Sequence, residues 1–162
     1  MNLIQLHRDH KGSLRWLEPA LERVHRMSRR FDGDADALVN QVWKLLAEKS
    51  AALGFWVGVE DEQIVGHVLA IVQPFDGRWV LWVTQAHSDV RITRAFHDLV
   101  LGTLEDFAET FNFSFAAQGI TLDRMLMTTP RSEVAWMKHS GWQPYRSIMS
   151  RSLPLGAKKG AS

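Results

Sequence analysis

Three runs rich in β-branched and aromatic residues follow one another in the middle of the chain, separated by gaps that hold only a turn. The runs are "FWVGVED", "QIVGHVLAIVQPF" and "RWVLWVTQ", and the turns are "EDEQ" and "DG". Such side chains pack well on a pleated surface. A strand that returns after so few residues must lie antiparallel to the one before it. A parallel return needs a crossover of about a dozen residues or more. The middle of the chain therefore predicts a three-stranded antiparallel meander, and the rest has to be fitted around that sheet.

On the N-terminal side, "LIQLH" alternates as a short strand does. The run "EPALERVHRMSRR" predicts a helix with Leu21, Val24 and Met27 on one side and Pro19 at its first position. "FDGD" breaks the chain before a second helix, "DADALVNQVWKLLAEKSAALG", with a buried stripe of Leu38, Val42, Leu45 and Leu46 and with Gly54 in the C′ position. Beyond the meander a long helix is expected from about Ile92, carrying Phe96, Leu99, Val100, Leu104, Phe107 and Phe111 at helical spacing. Its end is open in the sequence: "NFSFAAQG" either prolongs it to a Gly119 cap or forms a loop. "ITLDRMLMTT" then reads as a strand, "PRSEVAWMKHS" as a helix capped by Thr129 and stopped at Gly141, and "WQPYRSIMSRSL" as one last strand.

Composition narrows the chemistry. With 162 residues the chain fits one domain, expected over 1–153, with a tail at 154–162. It has 0 cysteines, which excludes disulfides, thiolate metal sites and a cysteine nucleophile and favours the cytoplasm. No apolar run approaches the roughly 18–20 residues of a membrane span, and "MNLIQLHRDHKG" has no signal-peptide core. A net charge of +1 gives no argument for a nucleic-acid partner. The basic N-terminal residues Arg8, Lys11, Arg15, Arg23, Arg26, Arg29 and Arg30 are expected on a solvated helix face. The histidines have no metal-binding spacing, His7 with His10 being the nearest approach to one. The tail segment "LGAKKGAS" offers one large apolar side chain against an ordering cost of about 1–2 kcal/mol per residue. A protein partner is therefore expected to order it.

The order of elements, with "VEDEQIVGHVLA" in the middle and "AWMKHSGWQPYRSIMSRSL" at the end, resembles the GNAT superfamily of acyl-CoA-dependent N-acetyltransferases over Leu3 to Leu153. The resemblance implies an α/β fold: a mixed, mainly antiparallel central sheet flanked by four helices. It also implies a Gln/Arg-x-x-Gly-x-Gly/Ala loop opening the long helix, where backbone N–H groups hold the cofactor's pyrophosphate. Aligned on the helix stripe, Arg91 takes the first position of that motif, Arg94 its first glycine and Phe96 its last small residue. If acetyl-CoA binds, the residues implied around it are Val83, Thr84, Arg91, Arg94 and Ala95. Two readings of the loop stand side by side. Arg91 and Arg94 replace the lost backbone donors, or Phe96 heads the core stripe while the arginines are solvated or paired with Asp89 or Asp98.

The family's general acid, a tyrosine four residues before the helix-ending glycine, falls on Met137, which has no proton to give. Tyr145, the only tyrosine, is expected in the following turn. Trp79 to Gln85 on the fourth strand hold no ionisable group, so His67 and His87 are the nearest possible bases. The expectation is a GNAT-like chain with an eroded acyl-CoA loop, no cofactor and no enzymatic activity. It resembles degenerate members among the head-gene products of tailed bacteriophages, which implies a structural or virion-assembly component. The alternative is a working acetyl-CoA-dependent N-acetyltransferase acting on an amine.

Overall fold

The structure, a computed structural model, describes residues 2–30, 34–91, 93–127, 141–145 and 148–153, with the side chains of 143–152 excepted. The elements are β1 (Asn2–Gln5), α1 (Lys11–Arg30), α2 (Ala35–Ala47), β2 (Leu53–Glu60), β3 (Gln63–Phe75), β4 (Arg78–Ser88) and α3 (Arg94–Phe115). A 3-10 turn (Ala116–Gln118), β5 (Arg124–Met127), β6 (Gln143–Tyr145) and β7 (Ile148–Ser152) follow. The strands form one 7-stranded sheet in the order β1-β2-β3-β4-β5-β7-β6. β4 and β5 run parallel, whereas β1–β2, β5–β7 and β6–β7 are antiparallel. The helix expected over 130–140, its cap Thr129 and the tail 154–162 lie outside the described residues.

Both meander turns are two residues long and left-handed at each position: Asp61 (φ 48°) with Glu62 (φ 59°), and Asp76 (φ 51°) with Gly77 (φ 76°). This is the twist that lets adjacent strands continue with their natural right-handed coil. "DG" is an ordinary sequence for it, while "DE" adopts it without a glycine.

Backbone contacts divide the chain into two compact units, Met1–Leu69 with Gln85–Phe96, and Ala70–Thr84 with His97–Ser162. The core of the first contains Trp16, Leu17, Ala20, Val24 and Met27 of α1, Val42 and Leu46 of α2, and Phe55, Trp56 and Val57 of β2. Helix α1 begins eight residues before Pro19, which therefore lies inside it. A proline there removes one backbone hydrogen bond, to the Arg15 carbonyl. The buried stripe continues on both sides of it, so packing outweighs that local loss. The turn that starts α1 is closed by Ser13. Its hydroxyl lies 2.8 Å from the His7 carbonyl and 2.9 Å from that of His10, and accepts from the His7 N–H at 3.2 Å.

Asp34 caps α2 by accepting the Ala37 N–H at 3.0 Å. The helix stops at Ala47 and Lys49 takes the left-handed position (φ 52°), so Gly54 is not its terminator. Gly54 lies in β2, where the Trp56 ring covers it. A Cβ at residue 54 would overlap that ring.

In the second unit, α3 buries Leu101, Leu104, Ala108 and Phe111, at spacings of three and four. Leu104 and Phe111 of the expected stripe are on this face, and Phe96, Val100 and Phe107 are half-buried at its side, whereas Leu99 is 45% exposed and Leu101 and Ala108 take the buried positions instead. The helix passes into the 3-10 turn and ends on a left-handed Gly119 (φ 71°), which decides between the two endings the sequence leaves open. Asn112 then fixes the return. Its Nδ2 donates to the Leu122 carbonyl at 2.9 Å while its Oδ1 accepts the Leu122 N–H at 2.6 Å. Leu122 is fully buried, as are Met125 and Leu126 of β5. The expected single last strand is a pair, β6 and β7, with Tyr145 paired to Ile148 in β6 rather than in a turn.

Gly54→Ala is expected to cost about 1–3 kcal/mol, the range of overpacked interiors, because the methyl group and the Trp56 indole cannot share one place. Urea melts of the two proteins, followed by tryptophan fluorescence, measure the difference.

Candidate functional site

The polar chemistry of the first unit gathers where α1 covers β3 and the end of β4. Hydrogen bonding carries β4 to Ser88, three residues past the predicted end, and the Asp89 N–H donates to the Val65 carbonyl at 2.8 Å. The extension puts His87 on the strand, a residue that the shorter strand leaves out. Gly66 allows the close approach, since a Cβ there would lie 2.7 Å from the His87 carbonyl oxygen.

Gln85 sets the orientation of the cluster. Its Nε2 donates to the Val24 carbonyl of α1 at 3.1 Å, and its Oε1 faces His67 Nε2 at 2.8 Å. A carbonyl only accepts, so the amide must turn its NH₂ to Val24 and its oxygen to the imidazole. His67 Nε2 is then the protonated nitrogen and Nδ1 carries the bare lone pair. His67 is 1% exposed, and Nδ1 has no hydrogen-bond partner among the described residues. Burial pushes the imidazole pKa down to about 4. The Gln85 bond opposes that shift and the nearby Arg23 guanidinium adds to it. The ring is neutral at pH 7.

Arg23, expected on the solvated face of its helix, is buried instead. Its Nη1 donates to Asp89 Oδ2 at 2.7 Å, while Nε and Nη2 are buried with no partner among the described residues. Asp89 Oδ1 meets His87 Nε2 at 3.0 Å, so one carboxylate holds an arginine on one side and a histidine on the other. The hydrogen bond from Arg23 is the main reason that the Asp89 carboxyl lies below its usual range. The side chains of His87 and Asp89 are 28% and 49% exposed, which puts that end of the cluster at the surface while Arg23 and His67 stay buried. Among the described residues no group of three or more His, Asp or Glu is placed to hold a metal ion.

Of the residues implied for acyl-CoA, Val83 and Thr84 lie in the middle of β4 and the others around the start of α3. Val83 is 2% exposed in the core and Thr84 is half-buried on β4. Arg91 precedes α3, Arg94 and Ala95 open it, and all three are exposed. The Asp89 carboxylate expected for these arginines is taken by Arg23 and His87. The helix starts at Arg94 with Thr93 as its cap, the Thr93 hydroxyl accepting the Phe96 N–H at 3.2 Å. Phe96 is half-buried, neither a core residue nor a free one. Met137 lies outside the described residues.

The fold is shared with known acetyltransferases. PaiA N-acetyltransferase from Thermoplasma acidophilum, solved in complex with coenzyme A, aligns at a TM-score of 0.55 with 11% identity, over 94% of this chain and 99% of that one. A predicted acetyltransferase with acetyl-CoA from Clostridium acetobutylicum aligns at 0.55 with 13% identity, over 90% and 91%. An acetyltransferase of the GNAT family from Streptococcus pneumoniae aligns at 0.51 with 17% identity, over 94% and 99%. No protein-family model and no curated protein matches the sequence. The chain has the GNAT-like α/β fold, as its element order implied, and at these identities the likeness is one of fold. Among the described residues no helix is long and apolar enough to cross a membrane.

Stability should fall in acid because of His67. Its pKa is about 4 in the folded protein, against an ordinary value of 6.5 for a solvated imidazole. Between those values the unfolded chain binds a proton that the folded chain refuses, so stability is full above the upper value and is lost as pH falls towards the lower. The loss between pH 7.5 and pH 4.5 should reach about 2–3 kcal/mol. The depressed Asp89 carboxyl acts lower still, its contribution fading only below the ordinary carboxylate range. Denaturant melts across this interval should show the slope in the wild type and a flatter profile in His67→Gln.

Proposed function

We propose that this chain uses the GNAT-like fold as a non-catalytic assembly component and does not bind acetyl-CoA through a pyrophosphate loop. The observation that carries the reading is the start of α3. The Phe96 amide is already accepted by Thr93 Oγ1, and Arg94 and Phe96 stand where the loop motif has small residues. A pyrophosphate held by backbone N–H groups needs those groups free and no side chain in the way. Met137 at the position of the family's general acid supports the same reading. The resemblance in size and in the "GW…M…L" ending to phage head-gene products supports a virion as the assembly. In that setting the protein would act in the host cytoplasm, with its tail at 154–162 ordered by a protein partner.

A second reading, an acetyl-CoA-dependent N-acetyltransferase, is favoured by the His87–Asp89 pair at 3.0 Å. A partly exposed imidazole oriented by a carboxylate is suited to taking a proton from an amine. In that reading Val83, Thr84, Arg91, Arg94 and Ala95 would lie along the cofactor, which would supply the activated acetyl group.

Acetyl-CoA affinity separates the two. A ligand at about 100 times its dissociation constant adds roughly 2.7 kcal/mol of stability, a melting-temperature rise of several degrees for a chain of this length. No rise is expected with acetyl-CoA or CoA at millimolar concentration. A saturable rise would overturn the non-catalytic reading and favour the transferase.

A further inference from the structure

The cluster under α1 contains donors and an acceptor that its own hydrogen bonds leave unused. Arg23 commits only Nη1 to Asp89, so its Nε–H and one Nη2–H point the same way along the other edge of the planar guanidinium. Neither atom has a partner among the described residues, and the side chain is 10% exposed. A buried charged donor without an acceptor is costly, and proteins rarely leave one so. His67 Nδ1 adds a buried lone pair in want of a donor, on a ring whose electrostatic neighbours include Arg23, His87 and Asp89. The three unpaired atoms come from two elements, α1 and β3.

We propose that this cluster is a binding site for a small carboxylate carrying a hydrogen-bond donor on the next carbon, an α-hydroxy or α-amino acid. Two parallel N–H groups match the two oxygens of a planar carboxylate, the geometry that makes arginine the usual receptor for that group. His67 Nδ1 accepts from the neighbouring hydroxyl or ammonium. Asp89 selects the charge: with a carboxylate already in the cluster, a monoanion is tolerated better than a phosphate dianion. The side chains of His87 and Asp89, 28% and 49% exposed, are the part of the cluster that solvent reaches. The inference is independent of acyl-CoA, because none of these residues belongs to the α3 loop.

The test is a titration of the whole chain at pH 7 with glycolate, acetate and inorganic phosphate, following the Arg23 Nε–H and His67 ring resonances by NMR. Glycolate should shift both in a saturable way. Acetate, which lacks the hydroxyl, should bind about 5–10-fold more weakly, the worth of one hydrogen bond. Arg23→Lys keeps the charge beside Asp89 but not the fork, and should weaken glycolate at least about tenfold. The proposal fails if the Arg23 Nε–H does not respond up to about 50 mM glycolate, which would mean that a buried water alone satisfies it. It fails equally if phosphate binds more tightly than the carboxylates, or if Arg23→Lys binds glycolate as the wild type does.

Discussion

The first unit depends on a bracket between α1 and the sheet, made by two consecutive helical residues. Val24 offers its carbonyl to the Gln85 amide, and Arg23 offers its guanidinium to Asp89. Each bond joins residues more than 60 positions apart in the chain, so the bracket forms only when the helix has docked. It has consequences along its whole length. The Gln85 amide is turned by Val24 and in turn fixes the His67 tautomer. Asp89, held by Arg23, orients His87 at the end of β4. A buried network of this kind is worth most when every member is satisfied. Here three atoms remain over, on the two residues that line the inside of the bracket.

Under the proposal that this chain does not bind acetyl-CoA, the residues at the start of α3 stand against what the fold would permit. A GNAT-like sheet and helix order is a scaffold on which catalysis is possible, but fold alone does not supply it. Cofactor binding through backbone amides is especially sensitive to side chains, since a single Cβ is enough to hold a phosphate away. The His87–Asp89 pair belongs to the strand side of the same strand–helix connection. It gives the first unit a polar chemistry that does not depend on the helix start.

The sequence is legible where structure is local. Turn residues two at a time force the meander. The fold class follows from the order of elements, whereas the ending at Gly119 is one of two that the residues leave open. It misleads wherever packing overrules a local signal. Pro19 reads as a helix start, yet Trp16 and Leu17 on one side and Val24 and Met27 on the other bury a continuous stripe through it. Gly54 reads as a helix end, yet its lack of a side chain serves the Trp56 ring. Hydrophobicity sets the stripe of α3 by Leu99 and Phe107, whereas the buried face uses the small Ala108, which close packing accepts and a hydrophobic count undervalues.

The sequence by itself determined the alternation of elements, the antiparallel centre and the residue types at the start of α3, because turns, periodicity and side-chain volume act over a few residues. Only the tertiary structure decided that Arg23 is buried, that burial lowers the His67 pKa and that Asp89 serves two partners. Burial and electrostatic environment are set by groups that the fold brings from far along the chain. A charge on an amphipathic helix reads the same whether it faces water or a carboxylate, until the helix is placed.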